Sequence, residues 1–327
     1  MTHFTESGLQ GFPGNTGDQP GGDQRGGVGR MTHTATVLMW AGVSGLLSFH
    51  AHPDDEVMST GGALVTYAKA GEQVVVVTAT DGAEGEVHNY PNPEEIAPKL
   101  AEVRAAELAE SLSILGVKHH AFLGYRDSGM MGWEGNSHPD SFWQADFMEA
   151  VGRMVRLIRR YQPEVMTVYD AFGGYGHPDH INVHRVGTAA FFGASDLGRF
   201  PLEEGEEFWE PLKLYWSVWP RSRVVAYAEL EFSRGEMSEE DLEKAHHAGT
   251  PDRDISCTLD VRDCVPTKMA ALQAHRSQIP ADSSWMSTPD EYLPRMIGWE
   301  TFIRVFSRVE TPYREDDLFT GCGERPA

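Results

Sequence analysis

From residue 45 onward the chain alternates short, nearly all-apolar runs with longer stretches whose apolar residues recur every three or four positions. Residues 45–49 (GLLSF) form a compact apolar run, the pattern of a buried strand. Residues 59–70 place Ala63, Leu64, Tyr67 and Ala68 on one helical face, and Gly71 is a stop signal. Residues 73–80 (QVVVVTAT) are β-branched and almost continuously apolar, as a central parallel strand requires. Helices are then expected at 98–115, 142–161 and 182–192, with strands at 120–123 and 164–169. Such alternation builds right-handed crossover units on a parallel sheet. The expected fold is α/β: Rossmann-like, mostly parallel, with helices on both faces. Beyond it, 212–232 reads as a strand pair, and 266–278 and 299–305 read as helices. Residues 200–327 are thus expected to form a C-terminal covering segment on one domain spanning 31–327.

Residues 1–30 lack this pattern. They are rich in Gly, Gln, Asp and Pro, so they are expected to be a disordered leader or an upstream extension. The triplet MTH occurs at Met1 and again at Met31, which suits a natural start at Met31. The apolar stretch 36–49 resembles a signal-peptide core, but it runs straight into the polar motif described below. Cleavage there would destroy that motif.

Composition narrows the function. The net charge is −22, from 49 acidic against 27 basic residues, so nucleic acid and anionic membrane are not expected partners. The acidic excess between Glu203 and Glu243 reads as a solvated face. Three cysteines (Cys257, Cys264 and Cys322) contain no C-x-x-C pair, which suits a reducing cytoplasm and offers no thiolate zinc site. No stretch is long and apolar enough to span a membrane.

The unusual polar residues fall where an open parallel sheet binds ligands, beyond the carboxyl ends of its strands. The first strand runs into His50-Ala-His52-Pro-Asp54-Asp55-Glu56. The second ends at Thr80-Asp81-Gly82, followed by Glu84 and Glu86. The third leads to Arg126, Asp127 and Ser128, and a later one to Asp170, Tyr175, His177, Asp179 and His180. A dinucleotide-binding sheet would carry G-x-G-x-x-G at its first turn; histidine and carboxylates stand there instead. His52 and Asp55 are three apart, as are His177 and His180. Two imidazoles and a carboxylate are a common catalytic zinc set, and they suit Fe²⁺ as well. The surplus groups, His50, Asp54, Asp179 and His184 among them, could serve as base, acid or supporting shell, with His184 expected to be a packed or surface residue.

The segments Ala51-His-Pro-Asp-Asp-Glu56 and Gly173-Gly-Tyr-Gly-His-Pro-Asp-His180 resemble the two signature motifs of the LmbE/PIG-L family. These are zinc-dependent de-N-acetylases of N-acetylglucosamine-type sugars, with mycothiol-pathway deacetylases and mycothiol-conjugate amidases among them. The resemblance implies that His52, Asp55 and His180 hold the metal and that Asp54 is the general base. It implies that His177 stabilises the oxyanion or protonates the leaving amine, that Tyr175 donates to the oxyanion, and that Asp179 orients His177. Glu86, Arg104 and Asp127 match positions that hold the sugar or its aglycone. The segment Ala274–Gln278 (AHRSQ) looks closer to the conjugate amidases, and the YRDSGM loop to the deacetylases. The expected partner is a small amino-sugar or thiol-conjugate substrate, and the expected location is cytoplasmic. A homo-oligomer is left open. A silent metal- or sugar-binding protein on the same scaffold is the alternative of another class. Trp133, Trp143 and Trp285 are candidates to line a substrate pocket, though core packing is the commoner use of tryptophan.

Overall fold

The structure, a computed structural model, describes residues 45–323. The leader 1–30 and most of the 36–49 stretch therefore lie outside the described residues. Five strands are parallel: β1 (Gly45–His50), β2 (Gln73–Thr80), β3 (His119–Tyr125), β4 (Val165–Tyr169) and β5 (Lys213–Val218). Two more, β6 (Cys257–Asp260) and β7 (Trp299–Ser307), pair antiparallel with their neighbours. The sheet order is β3-β2-β1-β4-β5-β7-β6.

Six principal helices flank the sheet: α1 (Asp55–Lys69), α2 (Leu100–Leu115), α3 (Phe147–Tyr161), α4 (Pro178–Gly193), α5 (Arg221–Ser233) and α6 (Val265–Ala274). Successive side chains on a strand face opposite ways, so the strands feed two cores. Leu46, Val74 and Val76 pack on one face with Leu64, Leu108 and Leu272 from α1, α2 and α6. Leu47, Phe49, Val75 and Val77 pack on the other with Met154 and Ile158 from α3 and Val183 and Phe191 from α4. Strands buried on both faces explain why the runs are continuous rather than alternating.

Five local expectations are corrected. Helices α1 and α4 begin earlier than the apolar periodicity suggests, at Asp55 and Pro178, because their first turns carry the polar motifs themselves. The helix expected from 142 is a short 3-10 turn, Phe142–Gln144, with α3 starting only at Phe147 after Asp146 caps the Glu149 N–H. The second half of the expected 212–232 strand pair is helix α5. The expected helix at 299–305 is strand β7, whose residues (WETFIRVFS) are largely β-branched and aromatic. The C-terminal segment therefore does more than cover: it adds three strands to the sheet.

Buried ion pairs bolt it down. Lys268 donates to Glu300 at 2.6 Å, and Glu300 also accepts from the Gly62 and Ala63 N–H groups. The Gly61–Gly62 pair is thus a packing feature inside α1. Lys213 and Glu315 pair at 2.6 Å with both side chains buried, and Tyr215 Oη donates to the same carboxylate. No helix among the described residues is long and apolar enough to cross a membrane.

Candidate metal centre and active site

β1 leads into α1 on one face of the sheet, whereas β4, its other neighbour, leads into α4 on the opposite face. That reversal opens a crevice at the carboxyl ends of β1 and β4. Both signature segments lie there. Asp55 opens α1, and His177 caps α4 with Pro178 at its first position. Here the rise of an α-helix puts His180 nearly one turn beyond His177, on the side facing β1.

His52, Asp55 and His180 offer donor atoms that all lie within 4.8 Å of one another. Asp55 Oδ2 stands 3.4 Å from His52 Nδ1 and 3.3 Å from His180 Nε2. On its far side His52 donates from Nε2 to Asp179 Oδ2 at 3.2 Å. With Nε2 held by Asp179, His52 would present Nδ1 to a cation beside Asp55, the usual carboxylate–histidine–metal arrangement. Tyr169 stacks on the His180 ring, with centroids 4.5 Å apart and planes 14° apart. Two imidazoles and a carboxylate at this spacing fit a divalent cation with room for a further ligand.

A second cluster, His52, Asp127, His177 and Asp179, lies equally close. Its carboxylates are already committed. Asp179, fully buried, accepts from Ser128 N at 2.9 Å, from Ser128 Oγ and from His52. Asp127 accepts from the Gly129 N–H at 2.9 Å and the Glu84 N–H at 3.3 Å. It supports the first cluster instead.

Asp54 projects beside the triad. Its backbone has φ 126°, a conformation that non-glycine residues rarely adopt. Its carboxylate accepts from Arg104 Nη2 at 3.0 Å. Burial pushes its pKa up to about 6, against the pull of that guanidinium. His177 Nδ1 accepts the Asp179 N–H at 3.1 Å, which puts the ring proton on Nε2. Burial, with His52 and His180 alongside, lowers its pKa to about 3, so it is neutral. Tyr175 is 58% exposed in the crevice, and its hydroxyl lies 3.3 Å from His180 Nε2. Burial and Asp55 raise its pKa, so the hydroxyl keeps its proton.

These groups line a cavity of about 360 Å³ whose outer part is formed by Glu84, Glu86, Met130, Trp133 and Gln278. All ten residues singled out from the sequence are at this crevice, but two, Asp179 and Arg104, make other contacts than expected. The Asp179 carboxylate orients His52, while His177 receives only its backbone N–H. Arg104 spends both terminal nitrogens on protein, donating to Gly82 O, Pro53 O and Asp54. The Glu86 side chain is 79% exposed at the rim. His50 stays out of the cluster, bonded to Tyr169 Oη and Thr60 Oγ1, and His184 packs against Trp216 with Nδ1 on Tyr169 O. Trp133 is half exposed on the cavity wall, and Trp143 lies under Arg185 away from it. The Trp285 side chain is outside what the structure describes. Sequence reasoning put Glu84 at this rim without giving it a role, and it missed Tyr169 and Gln278 as site residues; strand-end position was the available signal for Tyr169.

Fold and site together fit an α/β hydrolase with a candidate metal-binding cluster at its crevice. Residues 47–191 match the family model described as PIG-L, GlcNAc-PI de-N-acetylase. The chain is 37% identical over 294 residues to a 1D-myo-inositol 2-acetamido-2-deoxy-alpha-D-glucopyranoside deacetylase of Catenulispora acidiphila, covering 85% of this chain and 89% of that one. It is 39% identical to the Streptomyces avermitilis enzyme of the same description, covering 84% and 96%. Among solved structures it is similar to the N,N'-diacetylchitobiose deacetylase of Pyrococcus horikoshii, with TM-score 0.56, 21% identity and 80% and 84% coverage. It is also similar to the Pseudomonas putida 4-carboxy-2-hydroxymuconate hydratase GalB, with TM-score 0.55, 21% identity and 83% and 99% coverage. The last pair shows the shared fold alone, since the two carry different chemistries. The chain belongs to the PIG-L de-N-acetylase family.

Proposed function

We propose that this protein hydrolyses the N-acetyl group of a neutral N-acetylglucosaminyl glycoside, with a divalent metal, zinc by its donor set, at His52, Asp55 and His180. The single observation that carries the reading is the convergence of that triad with Asp54 and His177 at one strand-end crevice. A cation held there supplies Lewis acidity and makes water acidic enough to attack at neutral pH.

The chain's own residues do the rest. Asp54 takes the proton of the attacking water and is placed to pass it to the departing amine. Arg104 keeps that carboxylate aimed into the cavity. His177, neutral with its proton on Nε2, and Tyr175, protonated, donate hydrogen bonds to the oxygen that gains charge. Between the two roles open for His177, the tautomer favours oxyanion stabilisation over proton delivery. Trp133 and Met130 offer an apolar wall for a sugar face.

Charge selects the aglycone. The cavity is lined by Asp54, Asp55, Glu84, Glu86 and Asp127 against one guanidinium, Arg104, which is paired with Asp54. Arg126 nearby is paired with Glu84. A phosphodiester at that end would meet carboxylates, whereas a cyclitol or sugar hydroxyl can donate to them. The test is amine release from N-acetylglucosaminyl-inositol, measured with and without chelator, beside its phosphodiester-linked counterpart. Chelator-sensitive release that is faster from the neutral glycoside supports the proposal. Chelator-insensitive release, or preference for the phosphodiester, contradicts it.

A further inference from the structure

Most of the crevice lining comes from residues 52–177, yet a buried contact ties the base beside it to the far end of the chain. Glu56, next to the metal triad, is fully buried, and each of its oxygens is occupied. Oε2 accepts the backbone N–H of Asp54 at 2.9 Å. Oε1 accepts from Ser111 Oγ at 2.7 Å and from His275 Nε2 at 2.8 Å. His275, also fully buried, ends α6. The residues after it are fastened to α2: Ser277 donates from N and Oγ to Glu107 at 2.9 and 2.7 Å. His275 is therefore held from outside the crevice and points its Nε2 at the carboxylate that pins Asp54.

Asp54 needs pinning. Its φ of 126° is costly for an L-residue and persists only where the surroundings over-determine it. Arg104 fixes the side chain and the Pro53 carbonyl; Glu56 alone, among the hydrogen bonds of the described residues, holds the Asp54 N–H. A carboxylate buried at Glu56 would swing or lose alignment without its donors.

We infer that His275 is a positioning residue: through Glu56 it holds the Asp54 backbone in its left-handed conformation, and so sets the aim of the base. This rests on Asp54 being the base. The C-terminal segment thereby takes part in turnover without contacting substrate at His275.

Two polar replacements of similar bulk separate this from a merely structural role. Gln carries its amide nitrogen at the reach of His Nε2, and Asn at the reach of Nδ1. His275→Gln keeps the donor to Glu56, and His275→Asn withdraws it. The expected result is a kcat roughly 10- to 100-fold lower in the Asn variant, with KM and bound zinc unchanged, and recovery to within about threefold in the Gln variant. Amide hydrogen exchange in metal-free protein gives a second readout. The peptide containing Asp54 should exchange faster in His275→Asn than in wild type and His275→Gln. Equal kcat and equal exchange in the two variants overturn the inference, as does a loss of rate that follows lost zinc. A wild-type protein inactive on the neutral glycoside would sink the proposed function instead, and the exchange comparison would still decide the positioning role.

Discussion

Gly173 and Gly174 sit side by side in the loop that presents His180, and they make a matched pair. Both have left-handed backbones, with φ +65° and +76°. A Cβ built on Gly174 meets nothing within 4 Å. One built on Gly173 lies 2.5 Å from His180 Cβ and 2.8 Å from the backbone of His180 and Ile181. Gly174→Ala therefore carries only the conformational cost, about 1–2 kcal/mol for an L-residue in this region. Gly173→Ala carries the same cost plus an overpacking strain of about 1–3 kcal/mol. That extra strain falls on a side chain of the proposed metal triad and on helix backbone, which cannot swing aside. Expressed wholly as displacement of His180, it weakens zinc by roughly 5- to 150-fold at 1.4 kcal/mol per decade. The assay is competition of each variant with a fluorescent zinc chelator, beside urea unfolding of the metal-free proteins. Gly174→Ala should lose stability but keep zinc affinity, and Gly173→Ala should lose both. Equal zinc affinity in the two variants would refute the reasoning, because the clash would then not reach the ligand.

Other predictions follow from the same geometry. Prolonged dialysis against chelator should abolish amine release, and one equivalent of zinc should restore it; activity that survives complete metal removal contradicts the triad. His177→Ala should lower kcat by roughly 10²- to 10³-fold with bound zinc unchanged, as loss of an oxyanion donor does, and steady-state kinetics with metal analysis checks this. Tyr175→Phe, which removes a donor from the same oxygen, should lower kcat while leaving KM within about twofold, and a change confined to KM would reassign it to sugar binding. Glu315→Ala strands the buried Lys213 ammonium and should cost about 3–5 kcal/mol by urea unfolding, with the metal centre untouched in any folded fraction.

The parallel half of the sheet was legible because buried strands and amphipathic helices leave different periods. β2 (QVVVVTAT) and α2, with Leu100, Leu108 and Leu112 buried, are examples. The antiparallel half was not. In β7 the run TFIRVF carries apolar residues at spacings that also suit a helix, and only pairing with β5 and β6 decides the matter. Helix α5 follows β5 directly through Pro220, and its β-branched start (RSRVVAY) reads locally as strand. The convergence of His52, Asp55 and His180 was legible because the motif spacing reports a turn geometry. What spacing does not report is which group a carboxylate reaches across the fold. Asp179 is adjacent in sequence to His177 and His180, yet its side chain serves His52, which is 127 residues away. Arg104 likewise lies 50 residues from Asp54, to whose carboxylate it donates. Such pairings depend on how α2 and α4 dock on β1, and no local pattern encodes them.

The central claim, a base beside a metal triad acting on a neutral N-acetylglucosaminyl glycoside, is tested most directly by Asp54→Asn. Asn keeps the shape of the side chain and an oxygen for Arg104, but it cannot take a proton. The measurement is the rate of amine release from N-acetylglucosaminyl-inositol by the zinc-loaded variant, with metal content determined on the same sample. The account predicts zinc at the wild-type level and a rate about 10²- to 10⁴-fold lower. Full zinc with a wild-type rate would contradict it.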